Sequence, residues 1–280
     1  MSKYYCLIAG LPDINIDDTK LTYSVSGFKQ EVYDQLSSDD KRLFDLYFLK
    51  YDNENLLHFL KDKDAQLNAL GNISGEDLDL TIKSFRDDEN IKKGFVAPYF
   101  KDFIQWHDSE KSIETQSILD ADYLSALYYD YAMRNSNKFI SKWYEFNMNL
   151  NNILIASTGR KLSFDYQNYI VGNNNVANAL KTSAARDWGL SGDLDYMEQV
   201  QRIAEETDIT EREHKIDRLK WAWLEDNTFF DYFTIEKVYA YMLKLEIIER
   251  WHMLNREEGE KILREMIAKL KSEVKMPEEL

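Results

Sequence analysis

Three tyrosines, Tyr47, Tyr144 and Tyr241, stand 97 residues apart, twice over, and each opens a similar stretch of sequence. The stretches read YFLKYDNENLLHF at 47–59, YEFNMNLNNILIA at 144–156 and YMLKLEIIERWHM at 241–253. In a common register Leu49, Phe146 and Leu243 are apolar, as are Tyr51, Met148 and Leu245, and Leu57, Leu154 and Trp251. Polar columns align too: Lys50 with Asn147 and Lys244, Asp52 with Asn149 and Glu246, Asn55 with Asn152 and Glu249. Equal spacing without a gap predicts a three-fold internal repeat, and a repeat decides a fold before any local reading does. The expected units are 1–90, 91–190 and 191–280, three similar helical bundles around a pseudo-axis, packed as one chain.

The motif itself reads as structural. Its apolar positions, offset by 2, 4 and 10 from the tyrosine, do not share one helix face, so the helix is expected to pack between two neighbours. The Asp, Asn and Glu columns lie three apart and do share a face. Such a face is expected to grip backbone or side chains of an adjacent helix and fix its register.

The rest of the chain agrees with an all-α fold. Only 3 Pro and 10 Gly occur in 280 residues, too little punctuation for many tight β-turns and well suited to long helices. Ser37 with Asp40 predicts a capped helix start, and GNISG at 71–75 a break. Pro98 predicts the first turn of a helix running to about Trp106. Helices are expected at 117–135 and at 138–156, the second closed by Ser157, Thr158 and Gly159. Short helices and loops should follow through 160–192. Further helices are expected at 194–206, 210–225, 234–255, with Thr234 as N-cap, and 257–272. No stretch shows sustained period-two alternation.

Charge narrows the partners. Lys plus Arg number 35 against 50 Asp plus Glu, a net charge of −15. Nucleic-acid binding requires phosphate neutralisation, so nucleic acid is not an expected partner, and an anionic lipid surface is disfavoured for the same reason. Partners with basic patches are favoured. The single cysteine, Cys6, permits no internal disulfide and suits a reducing compartment. No apolar run approaches the roughly 18 residues of a membrane span. The opening YYCLIAGLP is read as mature structure, a short buried helix or strand, and not as a signal peptide. A cytoplasmic location is expected.

The motif Y-x-x-K-Y-D-x-x-N-L-L, carried by Tyr47, Lys50, Asp52, Asn55 and Leu56 and in part by Tyr241, Glu246 and Glu249, resembles helices of the C subunit of archaeal-type and vacuolar-type rotary ATPases, called d in the eukaryotic vacuolar enzyme. The middle copy departs from it at Asn147 and Asn149. The stretches YYCLIAGLPDI and RLKWAWLEDNTFFDYFTIEKVYAYMLKLEIIERW also resemble an uncharacterised bacterial family whose genes tend to lie among rotary ATPase subunit genes. The resemblance implies a funnel of three helical bundles with no activity or cofactor of its own. It implies a central-stalk position linking the rotor shaft to the membrane ring during proton or sodium transport, peripheral at the cytoplasmic face of the inner membrane. The implied partners are the shaft subunits and the rotor ring, with no membrane insertion and no small-molecule substrate.

Two rival readings stay open on the residues alone. Glu211 with His214, and Glu249 with His252, are both E-x-x-H pairs on predicted helices, the spacing used in four-helix di-metal carboxylate enzymes. A Glu-rich chain also yields such pairs by chance, and two further inward Glu are not evident. The other rival is a generic helical adaptor. His58 and His107 read as packed on aromatic faces, and Cys6, without basic neighbours, does not read as a nucleophile. STGRK at 157–161 lacks the first Gly and the final Ser or Thr of a phosphate loop. The ring cluster WAWLEDNTFFDYF at 221–233 reads mainly as a core corner, because so many rings exceed what a surface should expose.

Overall fold

The computed structural model describes residues 4–18, 21, 23–87, 96–110 and 120–254. These residues form α1 (Tyr5–Gly10), α2 (Val25–Val32), α3 (Ser38–Lys61), α4 (Gly75–Arg86), α5 (Tyr99–Glu110), α6 (Asp120–Met133), α7 (Lys138–Leu162), α8 (Asn175–Thr182), α9 (Met197–Glu205), α10 (Ile209–Asn227) and α11 (Ile235–Met253). Two short 3₁₀ turns, at Tyr33–Gln35 and Gln167–Tyr169, complete the regular structure, and there is no strand among the described residues. The fold is all-α. The helix expected at 257–272 lies outside the described residues.

Capping chemistry sets the helix starts. Ser37 accepts from the Asp40 N–H at 3.3 Å as N-cap, while its hydroxyl donates to the Asp40 carboxylate at 2.6 Å, tying the two side chains together. Ser74 repeats the arrangement with Asp77 at the start of α4. Asn137, Asn174 and Thr234 cap α7, α8 and α11.

The three motif copies lie on α3, α7 and α11. On α3 the four successive residues Leu46, Tyr47, Phe48 and Leu49 are all buried. Consecutive burial means that the helix is covered around most of its circumference, which accounts for its lack of a single apolar stripe. The same holds on α11, where Val238, Tyr239, Ala240, Met242 and Leu243 are all buried.

The chain divides into two compact units. One comprises residues 36–216, the other residues 1–35 and 217–280, so the boundary falls inside α10. In the first unit α7 packs on α6, α8 and α9, while α5 packs on α4 and α6, and α3 on α6. In the second, α11 packs on α2, and a core of Trp221, Ile247 and Ile248 is flanked by Ile14, Ile16, Leu21 and Trp251. Asp217, almost fully buried, accepts from the indole N–H of Trp251 at 2.6 Å and from Arg250, tying α10 to α11. A buried carboxylate is tolerated only with such donors.

Several local expectations need correction. Ser157, Thr158 and Gly159 do not close α7, which runs on to Leu162 and ends at Ser163 in a left-handed conformation. Gly159 serves close approach instead: a Cβ there would lie 2.5 Å from the Tyr166 side chain. The N-terminal helix α1 is not buried, since none of its residues is, and Cys6 is exposed. His58 is exposed; His107 is buried, with its ring nitrogens 3.4 Å and 3.5 Å from Asp108 and Asp120 and its ring against Phe103.

Candidate functional site

The most organised polar chemistry sits at the motif columns. Asn55 is 1 % exposed, and its carboxamide exchanges two hydrogen bonds with the backbone of Asn68: Nδ2 donates to the carbonyl at 3.0 Å and Oδ1 accepts from the N–H at 2.7 Å. Asp52, one turn earlier and equally buried, accepts from the N–H groups of Asn72 at 2.7 Å and Ile73 at 3.0 Å, and from the Asn72 side chain at 2.8 Å. The loop after α3 is therefore laid on the helix and delivered to Ser74, the N-cap of α4. Gly71 makes this possible, because a Cβ at that position would sit 2.7 Å from Asp52 Oδ1 and 2.8 Å from Asn55 Nδ2.

The second copy does the same work with different lengths of loop. Asn152 donates to the Val171 carbonyl at 2.7 Å and accepts from the Val171 N–H at 2.9 Å. Asn149 accepts at 2.9 Å from the side chain of Asn174, which in turn caps α8. Gly172, at φ +85°, presses its backbone on Met148 of α7. A neutral amide suffices here, because its partner is a side-chain amide and not a pair of backbone donors.

In the third copy Glu249 accepts from the N–H of Val25 at 2.9 Å, the first residue of α2, whose N-cap is Ser24. The acid meets an unsatisfied donor and the positive end of the helix. The short helix gripped by α11 thus comes from the opposite end of the chain. All three copies hold the start of a short helix. Beside these column contacts, Asn53, a residue the motif columns do not contain, is buried and accepts from the Tyr99 hydroxyl of α5 at 2.7 Å. Burial pushes the Tyr99 hydroxyl well above the ordinary tyrosine range.

The tyrosine and lysine columns also resolve into packing. Lys50 donates to the Tyr47 hydroxyl at 2.9 Å and lies over the Tyr47 ring, 4.0 Å from its centre. Tyr144 shares its hydroxyl with Tyr128 at 2.9 Å, and Tyr128 donates to the Leu46 carbonyl of α3 at 3.0 Å. Asn147 donates to the Trp143 carbonyl at 2.8 Å. Tyr241 donates to the Pro12 carbonyl at 3.0 Å; burial, with Asp13 nearby, pushes its hydroxyl up to about 12. Lys244 pairs with Glu225 at 3.0 Å over the Trp221 ring, and burial draws its ammonium below the usual lysine range, partly offset by Glu225. Glu246 lies half-buried on α11. Tyr241 and Lys244, with Lys237 and Thr228, line a pocket of about 200 Å³. That is below the range of about 300–1,000 Å³ common for ligand cavities.

The E-x-x-H residues fall in different units. Glu211 is exposed, 3.9 Å from Lys215, and His214 is half-buried on the same helix. Glu249 is occupied by Val25, and His252 Nε2 is buried without a hydrogen-bond partner among the described residues. Among the described residues no group of three or more His, Cys, Asp or Glu is arranged to hold a metal ion. No helix among them is long and apolar enough to cross a membrane.

The ring cluster at 221–233 corrects another expectation. Trp221 is buried and Trp223 and Phe233 are half-buried, but Phe229, Phe230 and Tyr232 are 65 %, 82 % and 63 % exposed. They stand on the turn between α10 and α11, not in a core corner.

Comparison with known proteins places the chain. Residues 1–274 match the model of a family described as "Protein of unknown function (DUF2764)". No curated protein and no solved structure matches. Since the match covers nearly the whole sequence, the chain belongs to the DUF2764 family.

Proposed function

We propose that this protein is a non-catalytic subunit of a rotary, ion-translocating ATPase of the vacuolar or archaeal type, coupling the central shaft to the membrane ring. The observation that carries the reading is the use made of the repeated motif. Asp52 and Asn55, Asn149 and Asn152, and Glu249 are spent on holding helix starts in place. Asp52, Asn55 and Glu249, through which the chain resembles the rotary C subunit, thus act as scaffold residues, as a passive coupling element requires. One grip from each motif copy, though built differently, also suits the proposed funnel of three bundles.

The charge of −15 fits a subunit held by basic protein surfaces, peripheral to the ring at the cytoplasmic face and without lipid contact. A di-metal enzyme built on Glu211, His214, Glu249 and His252 fits less well, because Glu249 already satisfies the Val25 N–H. Affinity purification of the tagged chain from its native membrane tests the proposal. Recovery of shaft and ring subunits supports it; a chain that never co-purifies with either contradicts it.

A further inference from the structure

The turn between α10 and α11 shows three large rings to solvent. Phe229 and Phe230 pack edge to face, 4.9 Å between centres. Tyr232 lies beside Phe233, which contacts Tyr5 of α1, itself 59 % exposed. Turns of this length usually carry Gly, Asn, Asp or Ser. Adjacent exposed phenylalanines are the unusual observation, since contiguous exposed apolar surface marks an interaction site.

The turn is braced. Thr228 is 1 % exposed and its hydroxyl donates to the Leu224 carbonyl at 2.7 Å. Its own carbonyl accepts from the Asp231 N–H at 3.1 Å and from Lys237 Nζ at 3.3 Å. Asn227 donates to the Trp223 carbonyl at 2.9 Å, and Thr234 caps the next helix. The rings are therefore presented from a fixed frame, which lowers the ordering cost of binding. Their surroundings are acidic: Glu225 and Asp226 precede the turn, Asp231 lies within it and Glu236 opens α11. Among the described residues, Lys237 and Lys244 of α11 are engaged with Thr228 and Glu225.

We propose that Phe229, Phe230 and Tyr232 form an aromatic plug that docks into an apolar socket on a protein partner, with the acidic rim meeting Lys and Arg around that socket. Charge decides the class of partner. Carboxylates flanking the rings repel an anionic lipid surface and favour a basic protein surface. Aromatic anchors seated in a pocket with a polar rim are the usual energetic centre of an interface.

The choice of probe rests on the rotary-subunit reading. The full chain is titrated into isolated rotor, ring with shaft, as wild type, F229A/F230A and D226K, and separately into vesicles of phosphatidylcholine with and without phosphatidylserine. All variants are first checked for unchanged helicity and melting, which their exposure favours. The plug predicts about a 30-fold or greater loss of rotor affinity for F229A/F230A. It also predicts a smaller loss with a shallower salt dependence for D226K, and no vesicle binding. If the wild type binds the rotor and F229A/F230A binds equally well, the plug is overturned and the rotary reading stands. If the wild type does not bind the rotor, the rotary reading fails and this partner with it. Ring-dependent binding to vesicles would overturn the plug in favour of a lipid contact.

Discussion

Asn152 and Val171 exchange two hydrogen bonds, the side-chain amide of one pairing with both backbone groups of the other at 2.7 Å and 2.9 Å. Asn55 treats Asn68 in the same way at 3.0 Å and 2.7 Å. A buried amide that satisfies a donor and an acceptor together leaves two orphaned groups when removed, each costing about 1–3 kcal/mol. Asn55→Ala and Asn152→Ala are each expected to destabilise their unit by about 2–4 kcal/mol. Asn55→Asp should also destabilise, since it keeps the acceptor and loses the donor. Urea denaturation of the three variants checks this; midpoints equal to wild type would show that the grip contributes nothing.

Asp52 differs from Asn149 in facing two backbone N–H donors. Asp52→Ala strands both and should cost about 3 kcal/mol, with the loop at 68–74 becoming open to hydrogen exchange. Asp52→Asn should cost less, because one amide oxygen still accepts. Exchange rates of the Asn72 and Ile73 amides report the loop directly: if D52A leaves them as slow as in wild type, the carboxylate is not what holds them.

Gly159 offers a test by sign. Gly to Ala inside a helix ordinarily stabilises by about 0.5–1 kcal/mol. Here the new methyl would lie 2.5 Å from Tyr166, whose hydroxyl accepts from the Trp188 indole at 3.1 Å inside the core. Gly159→Ala should therefore destabilise by about 1–3 kcal/mol. A raised melting temperature would show that Tyr166 moves aside freely.

Glu206 supplies a pH prediction. The Lys215 ammonium at 2.5 Å, with the N–H groups of Asp208 and Thr207, lowers its carboxyl from 4.5 to about 2. A depressed carboxylate contributes stability that is present above the ordinary value and lost as pH falls through the folded one, here between about 4.5 and 2. The Glu206 carboxyl should titrate by NMR near 2 in wild type and closer to its ordinary value in Lys215→Ala. Identical midpoints in the two proteins would refute the pairing.

Much of this architecture is legible in the sequence. Ser37 with Asp40, Thr234 and the motif at 47, 144 and 241 mark helices that form where expected. Burial at Asp52, Asn55, Asn149 and Asn152 follows from polar residues set among apolar ones. Their partners do not follow from it. Asn55 reaches 13 residues ahead, Asn152 reaches 19, and Glu249 reaches back 224, so no fixed offset connects the three. Gly159 reads as a helix stop in the sequence because close packing against Tyr166 leaves no periodic trace. Phe229 and Phe230 read as core in the sequence because composition carries no information about which way a turn faces. Asn53 sits between motif columns and is identified only by Tyr99, 46 residues away.

The central claim is that the chain is a stoichiometric, non-catalytic part of a rotary ATPase. Native mass spectrometry of the enzyme, isolated from its own membrane through a tag on the ring, measures this most directly. The account predicts one copy of the chain per complex, retained with the shaft when the catalytic head is stripped. An intact, coupled enzyme that contains no copy would contradict it.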